Sequence, residues 1–396
     1  MKSKNKQLFA LVLSGFLVNG FSKVKAENDS DSSVFKPSFN VGVLAHTYVS
    51  MQQNGFGQSS ATGSAGEWSA GATLYRARIM TEAHLSKRDY IFLETELASP
   101  LGTGADKAAG IKILDAQYDH YFCDQLAVSA GKMLVSHNRN GLQTAGSLMV
   151  NDFTYYQYPY NMSKDDPLQN DLGRDIGVNL NGGFSGNKLK YRIGAFAGRR
   201  SFEGQHSAPL RTVGRLEYNV MDIDKYSGTN LGEGKTITLA GGFDTQGSYM
   251  AAGGDLYVDY PSGSLGSVTF NSAFSYISGG NDPDGKYSFA SMIPRQNVRL
   301  AELGYYFKSS KIQPWIRYEK QDINAENNQT GGMEVKDFNK LKSTTVFGAG
   351  INYFFNGYNT NLKLSYVSMT KGIEDGDRIA RKTYGQIWVQ LQLYLF

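Results

Sequence analysis

The feature that most constrains this chain is a hydrophobic alternation with a period of two, repeated along most of its length. In Asn361 to Tyr366, Leu362, Leu364 and Tyr366 fall on one face, and Asn361, Lys363 and Ser365 on the other. Leu189, Tyr191 and Ile193 likewise oppose Lys188, Lys190 and Arg192, and Leu216, Tyr218 and Val220 oppose Arg211, Arg215, Glu217 and Asn219. This period belongs to a strand with one apolar and one polar face. The pattern predicts sixteen strands, near 38–50, 68–83, 88–99, 111–121, 125–135, 172–182, 187–199, 209–222, 236–247, 249–260, 267–279, 294–308, 311–323, 340–355, 358–371 and 383–396.

The connections carry a second rhythm. Those after even-numbered strands are mostly tight, as at Phe122-Cys123-Asp124, Phe184-Ser185-Gly186, Pro261-Ser262-Gly263, Ser309-Ser310 and Asn356-Gly357. Those after odd-numbered strands are mostly long, at 51–67, 100–110, 136–171, 280–293 and 324–339. Two break the rhythm: 223–235 is long and Gly247-Ser248 is short. An even strand count with alternating short and long connections fits a transmembrane antiparallel β-barrel, with short turns in the periplasm and long loops outside. Closure is required because an open sheet edge in hydrocarbon leaves backbone groups unpaired. A soluble β-sandwich gives no reason for the alternation, and no four-strand propeller repeat is visible.

The N-terminus points to export. Lys2, Lys4 and Lys6 precede the apolar run Leu8 to Leu17, and Val24-Lys25-Ala26 offers a cleavage site, so residues 1–26 read as a signal peptide. Residues 27–37 then form a flexible N-terminal segment and 38–396 the barrel. The signal holds five of the 40 basic residues and no acid, leaving 35 basic against 36 acidic side chains. The mature chain is therefore near neutrality, and nucleic acid is not an expected partner. Cys123 is alone and offers no disulfide framework; His46, His84, His120, His137 and His206 show no metal-ligand spacing. No metal or other cofactor is expected. The final strand, Ile387 to Phe396, directs Ile387, Val389, Leu391, Leu393 and Leu395 towards lipid, with Gln390 and Gln392 inside. Trp388, Tyr394 and Phe396 share the inward parity, an awkward place for girdle aromatics.

Tyr75-Arg76-Ala77-Arg78 followed by Phe92-Leu93-Glu94-Thr95-Glu96, and Leu172-Gly173-Arg174-Asp175-Ile176-Gly177-Val178, resemble the phosphate-selective porin O and P family of Gram-negative outer membranes. The resemblance runs from about Phe39 to Phe396. It implies a sixteen-stranded barrel, a homotrimer, contact with outer-membrane lipid and lipopolysaccharide, and a third outer loop, here 136–171, folded into the pore as a constriction.

Selectivity is expected to rest on Arg76, Arg78, Arg139, Arg174, Lys190, Arg192, Arg211, Arg215, Glu94 and Glu96, along or near the lumen. With Asp115 and Asp119 these charges can set a transverse field across the pore or pair across strands to stiffen the wall. A phosphate filter needs clustered cations and NH donors with few acids. The loop instead sets His137, Arg139 and Lys164 against Asp152, Asp165, Asp166 and Asp171. The expected function is therefore passive, weakly selective diffusion of small hydrophilic solutes and ions. A phosphate-specific channel is the alternative, and so is a sugar-specific one in which the run Tyr155 to Tyr160 stacks on sugar rings; the plainer reading of that run is that it packs the loop against the barrel wall or sits near the outer interface. Enzyme motifs are missing: Gly232-Glu-Gly-Lys-Thr236 has Thr229 where a phosphate-binding loop needs its first glycine, and no His-Glu-x-x-His occurs. A hydrolase or an adhesin built on a barrel leaves no local motif and stays an alternative.

Overall fold

A computed structural model describes residues 35–57, 66–97, 111–157, 173–198, 209–279 and 294–396. The expected signal peptide, most of the 27–37 segment, the 100–110 and 280–293 loops and residues 58–65 of the 51–67 loop lie outside the described residues. The strands are β1 (Ser38–Gln53), β2 (Trp68–His84), β3 (Asp89–Glu96), β4 (Lys112–Cys123), β5 (Leu126–Leu134), β6 (Arg174–Phe184), β7 (Leu189–Phe196) and β8 (Arg211–Asn219). They continue as β9 (Thr236–Gln246), β10 (Tyr249–Pro261), β11 (Gly266–Ser278), β12 (Gln296–Phe307), β13 (Ile312–Ile323), β14 (Thr344–Asn356), β15 (Thr360–Asp375) and β16 (Arg378–Leu395). Each pairs with its sequence neighbours, and β1 closes on β16 from Val43↔Leu395 to Gln52↔Gln386, giving a sixteen-stranded closed antiparallel barrel. No described helix is long and apolar enough to cross a membrane.

Period-two alternation decides which side chains point out. On β16, Ile387, Val389, Leu391, Leu393 and Leu395 are exposed on the outer wall while Gln386, Trp388, Gln390 and Gln392 are buried inside. The inward Trp388 ring packs edge-on against Tyr48 at 4.5 Å and Tyr75 at 5.6 Å. Its parity is thus explained by an aromatic cluster within the barrel rather than by a girdle. At the end that holds the start of β1 and the end of β16, Phe184 stacks on Tyr191, and Tyr305 with Phe307 and Tyr353 with Phe355 pair beside the turns. Near the opposite, loop-bearing end, the outer wall becomes charged, with Arg299 and Lys320 at 3.6 and 2.8 Å from Asp322.

The structure corrects the boundaries of β14, β15 and β16 and shows a register slip between β1 and β2. Residues 340–342 belong to a helix, α1 (Val335–Lys342), not to a strand; Val335, Phe338 and Leu341 repeat at helical spacing there. β15 and β16 also run past 371 and start before 383, to a tight turn at Asp375↔Arg378. Their extra pairs are mostly charged or mixed, as at Lys371↔Lys382, Glu374↔Ile379 and Asp375↔Arg378, and backbone hydrogen bonding carries the ladder where regular hydrophobic alternation stops. Finally, β1–β2 slips register between His46 and Thr47, so that Tyr75 and Arg76, adjacent in sequence, both turn inwards.

Candidate functional site

Two connections enter the barrel and meet. The first runs from β5 to β6, and its described part, 135–157, is bonded to inward-facing groups of many strands. His137 Nε2 lies 3.1 Å from Ser275 Oγ on β11. Asn352 on β14 donates to Met149 O at 2.6 Å, and Lys363 on β15 donates to Leu148 O and Val150 O at 2.6 and 3.1 Å. Gln392 on β16 donates to Gly146 O at 2.7 Å. The Glu319 carboxylate on β13 accepts from the backbone NH groups of Tyr155 and Tyr156 at 2.8 and 2.7 Å. These groups satisfy backbone polarity that burial would otherwise leave unpaired, which is what lets an irregular segment sit inside a barrel.

Tyr156 completes an apolar cluster on the inner wall, with Tyr249, Ile277, Val298, Val346, Met369 and Tyr384, and Tyr155 packs against it. Both rings therefore anchor the segment and are not offered to a passing sugar. Tyr158, Tyr160, Lys164, Asp165, Asp166 and Asp171 lie outside the described residues. His137, in this buried setting, has its imidazole pushed down to about 4, chiefly by loss of hydration, with Asp244 and Asp255 opposing and Arg211 and Arg215 assisting.

The second connection is 220–235, between β8 and β9. Thr229 Oγ1 and Asn230 N each donate to Asp259 Oδ2 on β10 at 3.0 Å. Gly228 N donates to Ser147 O of the first segment at 2.6 Å. A side chain at Gly228 would collide with Met149 N, so only glycine permits this approach. Arg139 spans the two segments: Nε and Nη2 donate to Asp224 at 2.6 and 3.0 Å, and Nη2 also donates to Ser227 O. The guanidinium lies 3.5 Å from the Tyr257 ring centroid.

The ten expected selectivity residues separate accordingly. Arg76 binds Asp152 of the first segment at 2.7 Å. Arg78 binds Glu94 and Glu96 at 2.9 and 2.6 Å, and Arg174 reaches from β6 to Glu94 and to Asp115, each at 2.8 Å. Arg211 binds Asp175 and Asp244 at 3.1 and 2.6 Å. Arg215 binds Asp255 at 2.6 Å and Glu217 at 3.3 Å. Arg139 is fully buried and lines no open space. Cross-strand pairing, one of the two readings open for these charges, thus describes the placement of most of them.

Open space remains along β5–β8. A cavity of about 250 Å³ is lined there by Asn181, Lys190, Arg192, Arg215, Glu217 and Tyr226 among others. A second, small cavity of about 20 Å³, room for roughly one water, shares Arg192 and Arg215 with it and is also bounded by Val135, Ser136, Asn179, Phe196 and Val213. On the far side of the lumen Asp259, Ser275, Glu319, Asn352, Lys363, Gln390 and Gln392 are all at or near 0% exposure. Lys190 keeps 24% side-chain exposure and is 3.3 Å from Glu217. Arg192 faces Tyr226 at 5.6 Å and has no carboxylate within ion-pair distance among the described residues.

Sequence reasoning did not single out Asp152 as a seat for Arg76, nor Asp224, Asp255, Glu319, Lys363 and Tyr226. Inward parity marked Lys363 as polar-face, and the anomalous length of 223–235 was the available signal for Asp224 and Tyr226.

No family model matches the chain, and no curated protein matches it in sequence. Solved structures do match in fold. The outer-membrane channel DcaP of Acinetobacter baumannii is 11% identical with a TM-score of 0.56, covering 91% of this chain and 97% of its own. An anion-selective porin from Comamonas acidovorans is 12% identical at a TM-score of 0.59, covering 91% and 100%. Salmonella typhi OmpF, solved with daunomycin, is 13% identical at 0.56, covering 90% and 97%. At such identities the likeness is one of fold: this chain's closed barrel matches the fold of those proteins.

Proposed function

We propose that the protein is an outer-membrane porin through which small hydrophilic solutes and ions diffuse passively, along an off-centre path beside β5–β8. The observation that carries this reading is the inverted distribution of side chains on a closed barrel: apolar residues cover the outside, ionic ones the inside, and an inner cavity remains with Lys190, Arg192, Arg215 and Glu217 in its lining. Such a barrel is stable in lipid, where a charge on the outer wall at mid-membrane costs about 2–4 kcal/mol. We place the tight-turn end in the periplasm and the loop-bearing end outside, with a cleaved signal peptide, surrounding lipid and lipopolysaccharide, and a trimeric assembly as in the family the sequence resembles.

Weak selectivity is the favoured form of this function. Arg76, Arg78, Arg139, Arg174, Arg211 and Arg215 each have a carboxylate partner, so few bare cations are left to strip water from phosphate. Purified protein in planar bilayers should give stepwise currents with modest ion selectivity. Micromolar phosphate block would favour a phosphate-specific channel. Silence in bilayers, with hydrolytic or host-binding activity, would favour the barrel enzyme or adhesin.

A further inference from the structure

We infer that residues 220–235 form a second, resident constriction of the path, with Tyr226 as its tip and the Arg139–Asp224 pair as the latch that positions it. The inference rests on the channel reading above. At this end of the barrel the other described connections are short, yet this one is long and does not project away from the barrel. Asp224 is 3% exposed and Thr229 0%. The segment hangs from the wall by Asp259 and by Tyr358, whose Oη donates to Thr229 O at 2.8 Å and accepts from Thr229 N at 2.9 Å.

Tyr226 has φ 58°, a left-handed conformation unusual for a bulky residue, so something must hold it there. Two contacts do: its NH donates to Asp224 Oδ1 at 2.7 Å, and its Oη donates to Glu217 Oε2 at 2.9 Å. The ring lies 4.9 Å from Lys190 Nζ and 5.6 Å from the Arg192 guanidinium, on the wall of the larger cavity. Asp224 gives its other oxygen, Oδ2, to Arg139 Nε, and Nη2 shares Oδ1. The carboxylate that fixes Tyr226 is thus itself fixed by the segment entering from the opposite end. Arg139 acts as a positioning residue: it touches no open space and sets where Tyr226 stands. Bulk at 226 and the cations behind it then determine the size and charge of what leaves the cavity.

Single-channel recording tests this on the full-length protein, with heat-modifiable gel mobility confirming a folded barrel. Tyr226→Ala should raise unit conductance over the parent channel. Asp224→Asn should raise it less and add open-channel noise, because the ring remains but loses its anchor. Tyr226→Cys, made with Cys123→Ser, should lose current when an anionic methanethiosulfonate reagent is added. A parent protein with no current steps would overturn the channel reading itself. Normal parent steps with unchanged conductance in Tyr226→Ala and no effect of the reagent on Tyr226→Cys would overturn the inference alone. Asp224→Asn identical to the parent, with Tyr226→Ala raised, would overturn the latch.

Discussion

Arg76 Nη2 lies 2.7 Å from Asp152 Oδ1, while Tyr75 Oη donates to Oδ2 of the same carboxylate at 2.6 Å. Neighbouring residues of a regular strand cannot grip one group from one side; the register slip opposite His46 and Thr47 makes it possible. The β2 wall thereby holds the lumen segment at the level of Asp152, and Arg317 adds hydrogen bonds to Asp152 O and Phe153 O at 3.0 and 3.1 Å.

Removing Asp152 leaves Arg76 buried without its carboxylate. Breaking one partner of a buried pair typically costs about 3–5 kcal/mol, here charged against the seated segment rather than the whole barrel. Asp152→Ala should make residues 136–157 accessible to protease in the folded protein while strand-pairing and heat-modifiable mobility persist. Equal protease resistance in parent and variant would show that the segment is seated without this contact.

Lys363 presents a second anchor. Its ammonium is wholly buried and donates to Leu148 O and Val150 O. Lys363→Met keeps the length of the side chain and removes both donors, leaving carbonyls unpaired at about 1–3 kcal/mol each. Noisier open-channel current is expected, with little change in ion preference because this ammonium lies away from the open cavities. A large shift in reversal potential would instead put Lys363 on the ion path.

His137 makes seating pH-dependent. Its pKa is about 4 when buried, against about 6.5 in water. Between those values the released segment binds a proton that the seated one does not. The contribution to seating is therefore full above pH 6.5, declines as pH falls towards 4, and levels off below. Protease access to 136–157 should rise across that window, and His137→Gln should flatten the profile. A parent profile flat from pH 7 to 4 would contradict this assignment.

Much of the barrel could be read from the chain because lipid and lumen impose opposite demands on alternate residues. Leu362, Leu364 and Tyr366 against Asn361, Lys363 and Ser365 settle both strand and face by alternation alone. Parity also put Arg78, Glu94 and Glu96 on one surface, yet it could not choose partners, since pairing depends on register and reach. Arg174 shows the limit: its backbone faces Leu134 on β5, but its side chain crosses to β4 and β3. The 220–235 segment was illegible for another reason. Its Gly, Ser, Thr and Asn residues satisfy buried backbone as well as they would face water, so composition does not distinguish a lumen insert from an exposed turn.

The path beside β5–β8 is the central claim, and Arg192 tests it most directly. Arg139, Arg78 and Arg211 are matched by carboxylates, whereas Arg192 borders both the 250 Å³ and the 20 Å³ cavities without one among the described residues. The decisive measurement is the reversal potential of single channels in a salt gradient, for the parent, Arg192→Glu and Arg139→Gln. The account predicts stepwise currents in all three, a clear shift towards cations in Arg192→Glu, and only a small one in Arg139→Gln. Parent current steps with a reversal potential unmoved by Arg192→Glu would contradict the path, and a parent without current steps would contradict the function.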